Sequence, residues 1–163
     1  MFEPNNTFNS RLSQIGRVYN VVLSNESKKV DFYSINGTGD SYFKENSDYY
    51  KNVTPIEKQT LSLDELVSLE NIPLPKIIKI DTQGSELEIL QGSRKTIANA
   101  LFIIVECRLA THQNTSAPGV SEVIRFFAEY NFYPYKILEI HTDQNGLLIE
   151  IDIVFKNGFK KEN

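Results

Sequence analysis

The stretch Asp81-Thr82-Gln83-Gly84-Ser85-Glu86 gathers residue types that binding and catalysis use most often. A carboxylate ends the apolar run Ile77-Ile78-Lys79-Ile80, a glycine follows where the backbone must turn, and a second acid opens a helical pattern. Asp81 could orient a cationic or hydroxylated ligand at that strand tip, or cap the helix behind it; on the residues alone the two readings weigh equally. For Glu86 a structural explanation is sufficient, because an acid in a helix's first turn opposes the macrodipole and satisfies free amides. Glu106 closes a second apolar run, Ile103-Ile104-Val105. A carboxylate there could serve as a general base or hold an acceptor hydroxyl, with pairing to Arg108 as the simpler alternative. Glu3 ends the opening Met1-Phe2 and precedes Pro4-Asn5-Asn6. In nucleoside-binding α/β folds an acid at such a handover accepts hydrogen bonds from both ribose hydroxyls; otherwise it is a solvated terminal glutamate.

Other reactive side chains are less informative. His112 lies in a polar loop between Thr111 and Gln113 and reads as a surface histidine. Cys107 reads as a packed thiol, and His141 and Asp143, beside a turn, receive no role. With one cysteine and two histidines the chain has no zinc-ligand spacing, so no metal set is expected. Tyr42, Phe43, Tyr49 and Tyr50 crowd a polar loop, where rings could stack on an adenine, wall a pocket or cover a sheet edge.

These residues need strands and helices to place them. Phe8, Leu12 and Ile15 share one helical face in a helix starting near Asn5 or Asn6, and Val18 to Leu23 reads as a strand. Val30, Phe32 and Ile35 form a weaker extended stretch, so a hairpin across Ser24-Asn25-Glu26-Ser27 is expected, with a loop from Asn36 to Thr54. Ser62 and Glu65 form a capping box for a short helix that Pro73 and Pro75 terminate. Next come the strand at 77–80, one helix carrying Leu87, Leu90, Ile97 and Leu101, and a strand over Leu101 to Val105. A helix follows through Val120, Val123, Ile124 and Phe127, with Asn131 at its C-terminal end. Tyr133 to Ile140 and the alternating run Leu147 to Phe155 then fold back on each other around Asn145-Gly146. The sum is an α/β domain of Rossmann-like, three-layer form: a mostly parallel sheet, helices on both faces, and an antiparallel C-terminal hairpin. Ligands in such sheets bind at the carboxyl ends of the strands.

Composition narrows the partners. The 163 residues, 40% hydrophobic, suit one domain with a core of its own. Net charge is −4 with a pI near 5.3, and the 17 Lys and Arg form no basic stripe, which argues against nucleic acid. No run approaches a membrane span and no signal peptide opens the chain. A reducing cytoplasm is expected, and the Asn-x-Ser/Thr patterns at Asn5, Asn25, Asn36, Asn52 and Asn114 carry little weight.

The run Ile78-Lys79-Ile80-Asp81-Thr82-Gln83-Gly84-Ser85-Glu86-Leu87-Glu88-Ile89-Leu90-Gln91-Gly92 resembles the signature of FkbM-type methyltransferases. Phe2-Glu3-Pro4-Asn5, Thr60-Leu61-Ser62-Leu63-Asp64-Glu65-Leu66 and Ile103-Ile104-Val105-Glu106 resemble that family's second strand, a helix start and its fifth strand, in the same order. The resemblance implies an S-adenosylmethionine-dependent O-methyltransferase acting on a small-molecule or sugar hydroxyl. It implies cofactor contacts at Glu3 and around Asp40 and Ser41, the methionine end and transfer site at Asp81, and proton removal by Asp81 or Glu106. It further implies that a first strand and a glycine-rich turn precede Phe2, where this chain begins. Without them, two sheet edges are left to pair with each other, with a second copy of the chain, or with nothing. The alternative is a truncated, non-catalytic module of the same fold that binds a partner or small ligand. A nicotinamide-dependent oxidoreductase is disfavoured, because there is no dinucleotide fingerprint.

Overall fold

A computed structural model describes all residues except 36–38, 45–47, 110–116 and 161–163, and for Tyr49 the backbone alone. His112 and the sequons at Asn36 and Asn114 lie outside the described residues.

The chain opens extended, Phe2 bridging in parallel to Tyr19 with their rings stacked 5.6 Å apart. A 3-10 turn, Asn6–Phe8, is started by Asn5, whose side chain accepts from the Thr7 amide, and runs into α1 (Asn9–Leu12). The helix stops short of Ile15, which is 76% exposed rather than on an inner face.

β1 (Val22–Leu23), β2 (Lys29–Phe32) and β3 (Ile56–Leu61) form a first sheet in the order β1-β3-β2. β3 runs parallel to β1 and antiparallel to β2. The expected hairpin between the first two therefore does not form; β3 stands between them. Ile56-Glu57-Lys58-Gln59 gave no strand pattern because the strand is largely polar and Ile56 itself is exposed. α2 (Leu63–Leu69) follows, with Ser62 Oγ accepting from the Glu65 amide at 3.2 Å and Leu63 and Leu66 buried.

The second sheet has the order β4-β5-β7-β6, built from β4 (Ile77–Ile80), β5 (Phe102–Arg108), β6 (Phe132–Thr142) and β7 (Leu148–Asn157). β4 and β5 are parallel, while β7 pairs antiparallel with both β5 and β6. Instead of one mostly parallel sheet there are two mixed ones, and antiparallel ladders predominate among the described residues.

The single helix expected after β4 is two, α3 (Glu86–Gln91) and α4 (Arg94–Asn99). At the break Gly92 lies close against the first sheet: a Cβ there would run into the carbonyl of Ser24, so only glycine lets α3 end in this place. Asp64 of α2 then caps α4 from outside, accepting from the amides of Lys95 at 2.9 Å and Thr96 at 2.8 Å. α5 (Val120–Glu129) starts at Gly119, whose amide donates to Glu122. Asn131, in the left-handed region at φ 56°, turns the chain into β6.

Strand alternation sorts the second sheet into two faces. Ile80, Ile103, Val105, Cys107, Ile153 and Phe155 meet Ile89, Leu90, Ile97, Val123 and Phe127 of the three helices in one buried cluster. Phe127 stacks on Phe155 at 4.1 Å. The opposite face carries Ile77 and Lys79, then Phe102, Ile104, Glu106 and Arg108, then Glu150, Asp152 and Lys156. No helix of the buried cluster covers it, and Ile77 and Tyr135 are more than half exposed there. Helices α3, α4 and α5 thus pack on one face of this sheet, not on both as the three-layer reading required.

Candidate functional site

Two backbone edges face each other. The opening residues are bridged on one side to Tyr19, and β4 is the outermost strand of its sheet, paired among the described residues with β5 alone. Between them lies a cavity of about 1160 Å³ whose walls include Glu3, Asp40, Ser41, Asp81 and Gln83 among apolar side chains such as Phe32, Leu63 and Ile78. Glu106 is not part of that wall.

Glu3 is held in place by the Asn5 amide, which donates to its Oε1 at 2.8 Å; its Oε2 accepts no hydrogen bond from the described residues. Asp40 is fully engaged. Its Oδ2 accepts from Asn5 and Ser34, each at 2.8 Å, and its Oδ1 from the Ile35 amide at 2.8 Å. Ser41 is buried, donates to the Gln83 carbonyl at 2.8 Å and accepts from the Phe43 amide at 2.9 Å. These two residues therefore close a loop onto the β4 tip through their own bonds.

Tyr42 and Tyr50 are likewise tied down. The Tyr42 hydroxyl lies 3.1 Å from Glu88 and 3.3 Å from Ser24, and burial pushes its pKa up; the Tyr50 hydroxyl donates to the Gly39 carbonyl. Ser24, Lys28 and Tyr42 all converge on one oxygen of Glu88, which stitches the first sheet to α3.

At the β4 tip the cap of α3 is Ser85, so the capping role weighed for Asp81 is not the one the chain uses. Asp81 instead pairs with Lys79 at 2.9 Å and keeps 42% of its side chain exposed. Glu86 is 3% exposed and closes the turn ahead of the helix, accepting from the amides of Thr82 and Gly84, both at 3.0 Å. Gln83 and Gly84 are consecutive residues at positive φ, 51° and 107°, and a Cβ on Gly84 would sit 2.9 Å from that of Ala117. This tight turn aims the Gln83 amide at β5, where Nε2 donates to Glu106 at 3.1 Å and Oε1 accepts from Arg108 at 3.3 Å. Arg108 is not the direct partner of Glu106: the glutamine stands between them, and the guanidinium faces Glu150 at 3.6 Å.

Burial is the main cause of the rise of the Glu106 pKa to about 8, helped by the charges of Asp81, Glu150, Glu86 and Asp152. Burial also pushes the Cys107 thiol up to about 12, as fits a packed side chain that is 1% exposed. Directly across the β5–β7 ladder from Glu106 stands Asp152, and His141 of β6 reaches the same place. One ligand atom from each of the three lies within 4.8 Å of the others. Sequence reading had no means to join residues that only strand register brings together. The available signal was Asp152 itself, a charged side chain flanked by Ile151 and Ile153 within a buried strand.

The fold and site define an α/β domain with an acid-lined cavity at the strand tips. The family model for the methyltransferase FkbM domain matches residues 1–134, and the chain belongs to that family. Over 48 residues it is 42% identical to the hexuronic acid methyltransferase AglP of Haloferax volcanii, covering 29% of this chain and 20% of that protein. Over 103 residues it is 27% identical to the 2-O-methyltransferase NoeI of Sinorhizobium fredii, covering 55% of this chain and 42% of that protein. The matches thus span less than half the length of either curated relative. No solved structure matches the chain. Among the described residues no helix is long and apolar enough to cross a membrane.

Proposed function

We propose that this domain transfers a methyl group from S-adenosylmethionine to a hydroxyl oxygen of a sugar or another small molecule. The observation that carries the reading is the placement of Glu3 and Asp81 on one cavity, at the tips of two facing edges, in a chain of the FkbM methyltransferase family.

The residues fit the cofactor by type. A nucleoside needs acceptors for its vicinal hydroxyls and apolar walls for its base, and a sulfonium favours a carboxylate nearby. Glu3 offers an unoccupied oxygen, Phe32 and its neighbours offer the wall, and Asp81 is the exposed carboxylate. At about 1160 Å³ the cavity exceeds the roughly 300–1,000 Å³ of ordinary ligand pockets, leaving room for an acceptor beside the cofactor. When bound, the cofactor supplies an electrophilic methyl. The chain's own part is alignment and proton handling: Asp81 takes the acceptor's hydroxyl proton, Lys79 holds that carboxylate in place, and Asp40 and Ser41 act by fixing the loop above it. One relative's name gives a hexuronic acid and the other's a 2-O position, so a hexuronic acid is the acceptor to try first.

Calorimetric titration of the 163-residue chain with S-adenosylmethionine and S-adenosylhomocysteine tests the reading. Saturable binding is expected, weakened roughly tenfold by Glu3→Ala, in line with loss of a charge-assisted hydrogen bond. Asp81→Ala is expected to abolish transfer while circular dichroism stays unchanged. Absence of binding by the folded chain, or Glu3→Ala binding as tightly as the parent, would overturn the assignment.

A further inference from the structure

The side of the second sheet opposite α3, α4 and α5 carries a cluster of carboxylates. Asp81, Glu106, Glu150 and Asp152 crowd it, against Lys79 and Arg108. Arg108 is turned toward Glu150 and Gln83. Lys79 is committed to Asp81 at 2.9 Å and stands 3.6 Å from Asp152, beyond hydrogen bonding.

Asp152 therefore has one ion-pair partner among the described residues, Lys79, which it shares with Asp81. Its side chain is only 7% exposed, yet it accepts no hydrogen bond from the described residues. A buried carboxylate with a single shared cation and no hydrogen-bond donor is under-compensated, and a further positive charge would stabilise it. It stands opposite Glu106 in the β5–β7 ladder, a second carboxylate, whereas a stable cross-strand neighbour would be a cation or a donor. The third member, His141, comes from β6 and has no hydrogen-bond partner among the described residues for either ring nitrogen. Three potential ligand atoms within 4.8 Å of one another, from three adjacent strands, form a preorganised cup.

We propose that Glu106, His141 and Asp152 form a binding site for a divalent first-row transition-metal ion. Two carboxylate oxygens and one imidazole nitrogen suit manganese, iron or zinc better than calcium or magnesium, which favour all-oxygen shells. Three protein ligands leave coordination positions for water or an acceptor. An acceptor hydroxyl could occupy one of them and lose its proton more readily there; that second role rests on the methyltransferase reading, whereas metal binding does not.

The test is titration of the 163-residue chain, stripped with chelator and without S-adenosylmethionine, with Mn²⁺, Zn²⁺ and Mg²⁺ separately. A single saturable equivalent of Mn²⁺ or Zn²⁺ is expected, with Mg²⁺ far weaker. Binding should fall on the order of tenfold or more in Glu106→Gln, His141→Ala and Asp152→Asn, and stay unchanged in Glu57→Gln on the first sheet. His141→Ala changes a half-buried residue near the hairpin turn, so it keeps the test usable if Asp152→Asn fails to fold. Pulsed electron paramagnetic resonance of the Mn²⁺ form should show coupling to an imidazole nitrogen that disappears in His141→Ala. Lack of saturable binding of both transition ions, or binding undiminished in His141→Ala, would overturn the site whatever the outcome with S-adenosylmethionine.

Discussion

The two sheets are held by different forces. The second packs three helices onto one face through a continuous apolar cluster that includes Leu90, Ile97, Ile103, Val105, Phe127 and Phe155, each at or near zero exposure. The first has a two-residue strand, a polar central strand and few buried apolar residues, Val22 and Phe32 among them. It is anchored to the helices of the second largely by polar staples, Glu88 with Ser24, Lys28 and Tyr42, and α2, which follows it, adds Asp64 at the start of α4. The cavity lies between a wall set by packing and a wall set by hydrogen bonds, so the acids on the second sheet are placed more firmly than Glu3.

The largest expected effect separates the walls. Phe127→Ala should cost about 4–5 kcal/mol in urea unfolding, because a stacked ring inside a closed cluster leaves a hole that cannot collapse. The same truncation at Phe32, also buried but facing the cavity, should cost about 3 kcal/mol, since its surroundings can relax into open space. Equal losses at the two positions would erase the distinction. Gly92→Ala comes next: the added methyl meets the Ser24 carbonyl, and about 1–3 kcal/mol of lost stability should appear along with disturbed amide resonances in both sheets. Smallest is Asp64→Ala, which removes a cap contributed by another helix and should cost about 0.5–2 kcal/mol, with fraying confined to α4 in hydrogen exchange.

Legibility in the sequence follows the same division. β4, β5 and the β6–β7 hairpin were readable because apolar runs and strict alternation report burial, and so were the capping serine at Ser62 and the left-handed Asn131. Asp81 at the tip of β4 was readable for the same reason, whereas Glu106, read as closing its strand after Val105, lies inside β5, which runs on to Arg108. β3 was not, since a polar strand stabilised by neighbours on both sides leaves no periodic trace. The break between α3 and α4 was hidden because Ser24, whose carbonyl leaves no room for a side chain at Gly92, is far away in the chain. The meeting of Glu106 with Asp152 and His141 depends on ladder register, including the irregularity between His141 and Thr142, which no local pattern encodes. Sheet composition also misled: a helix-covered parallel sheet and a half-covered mixed sheet carry similar apolar runs when one face of each is buried.

Gln83 ties several of these threads together at a conformational cost. It adopts φ 51° without being glycine, a region where a long side chain is disfavoured by about 1 kcal/mol or more. Glycine at this position would relax the backbone and asparagine would suit it better, yet neither side chain could span from Glu106 to Arg108 as glutamine does. The position thus spends folding stability on reach, and a library randomised at codon 83 should split into sturdier clones that have lost the bridge and weaker ones that have kept it.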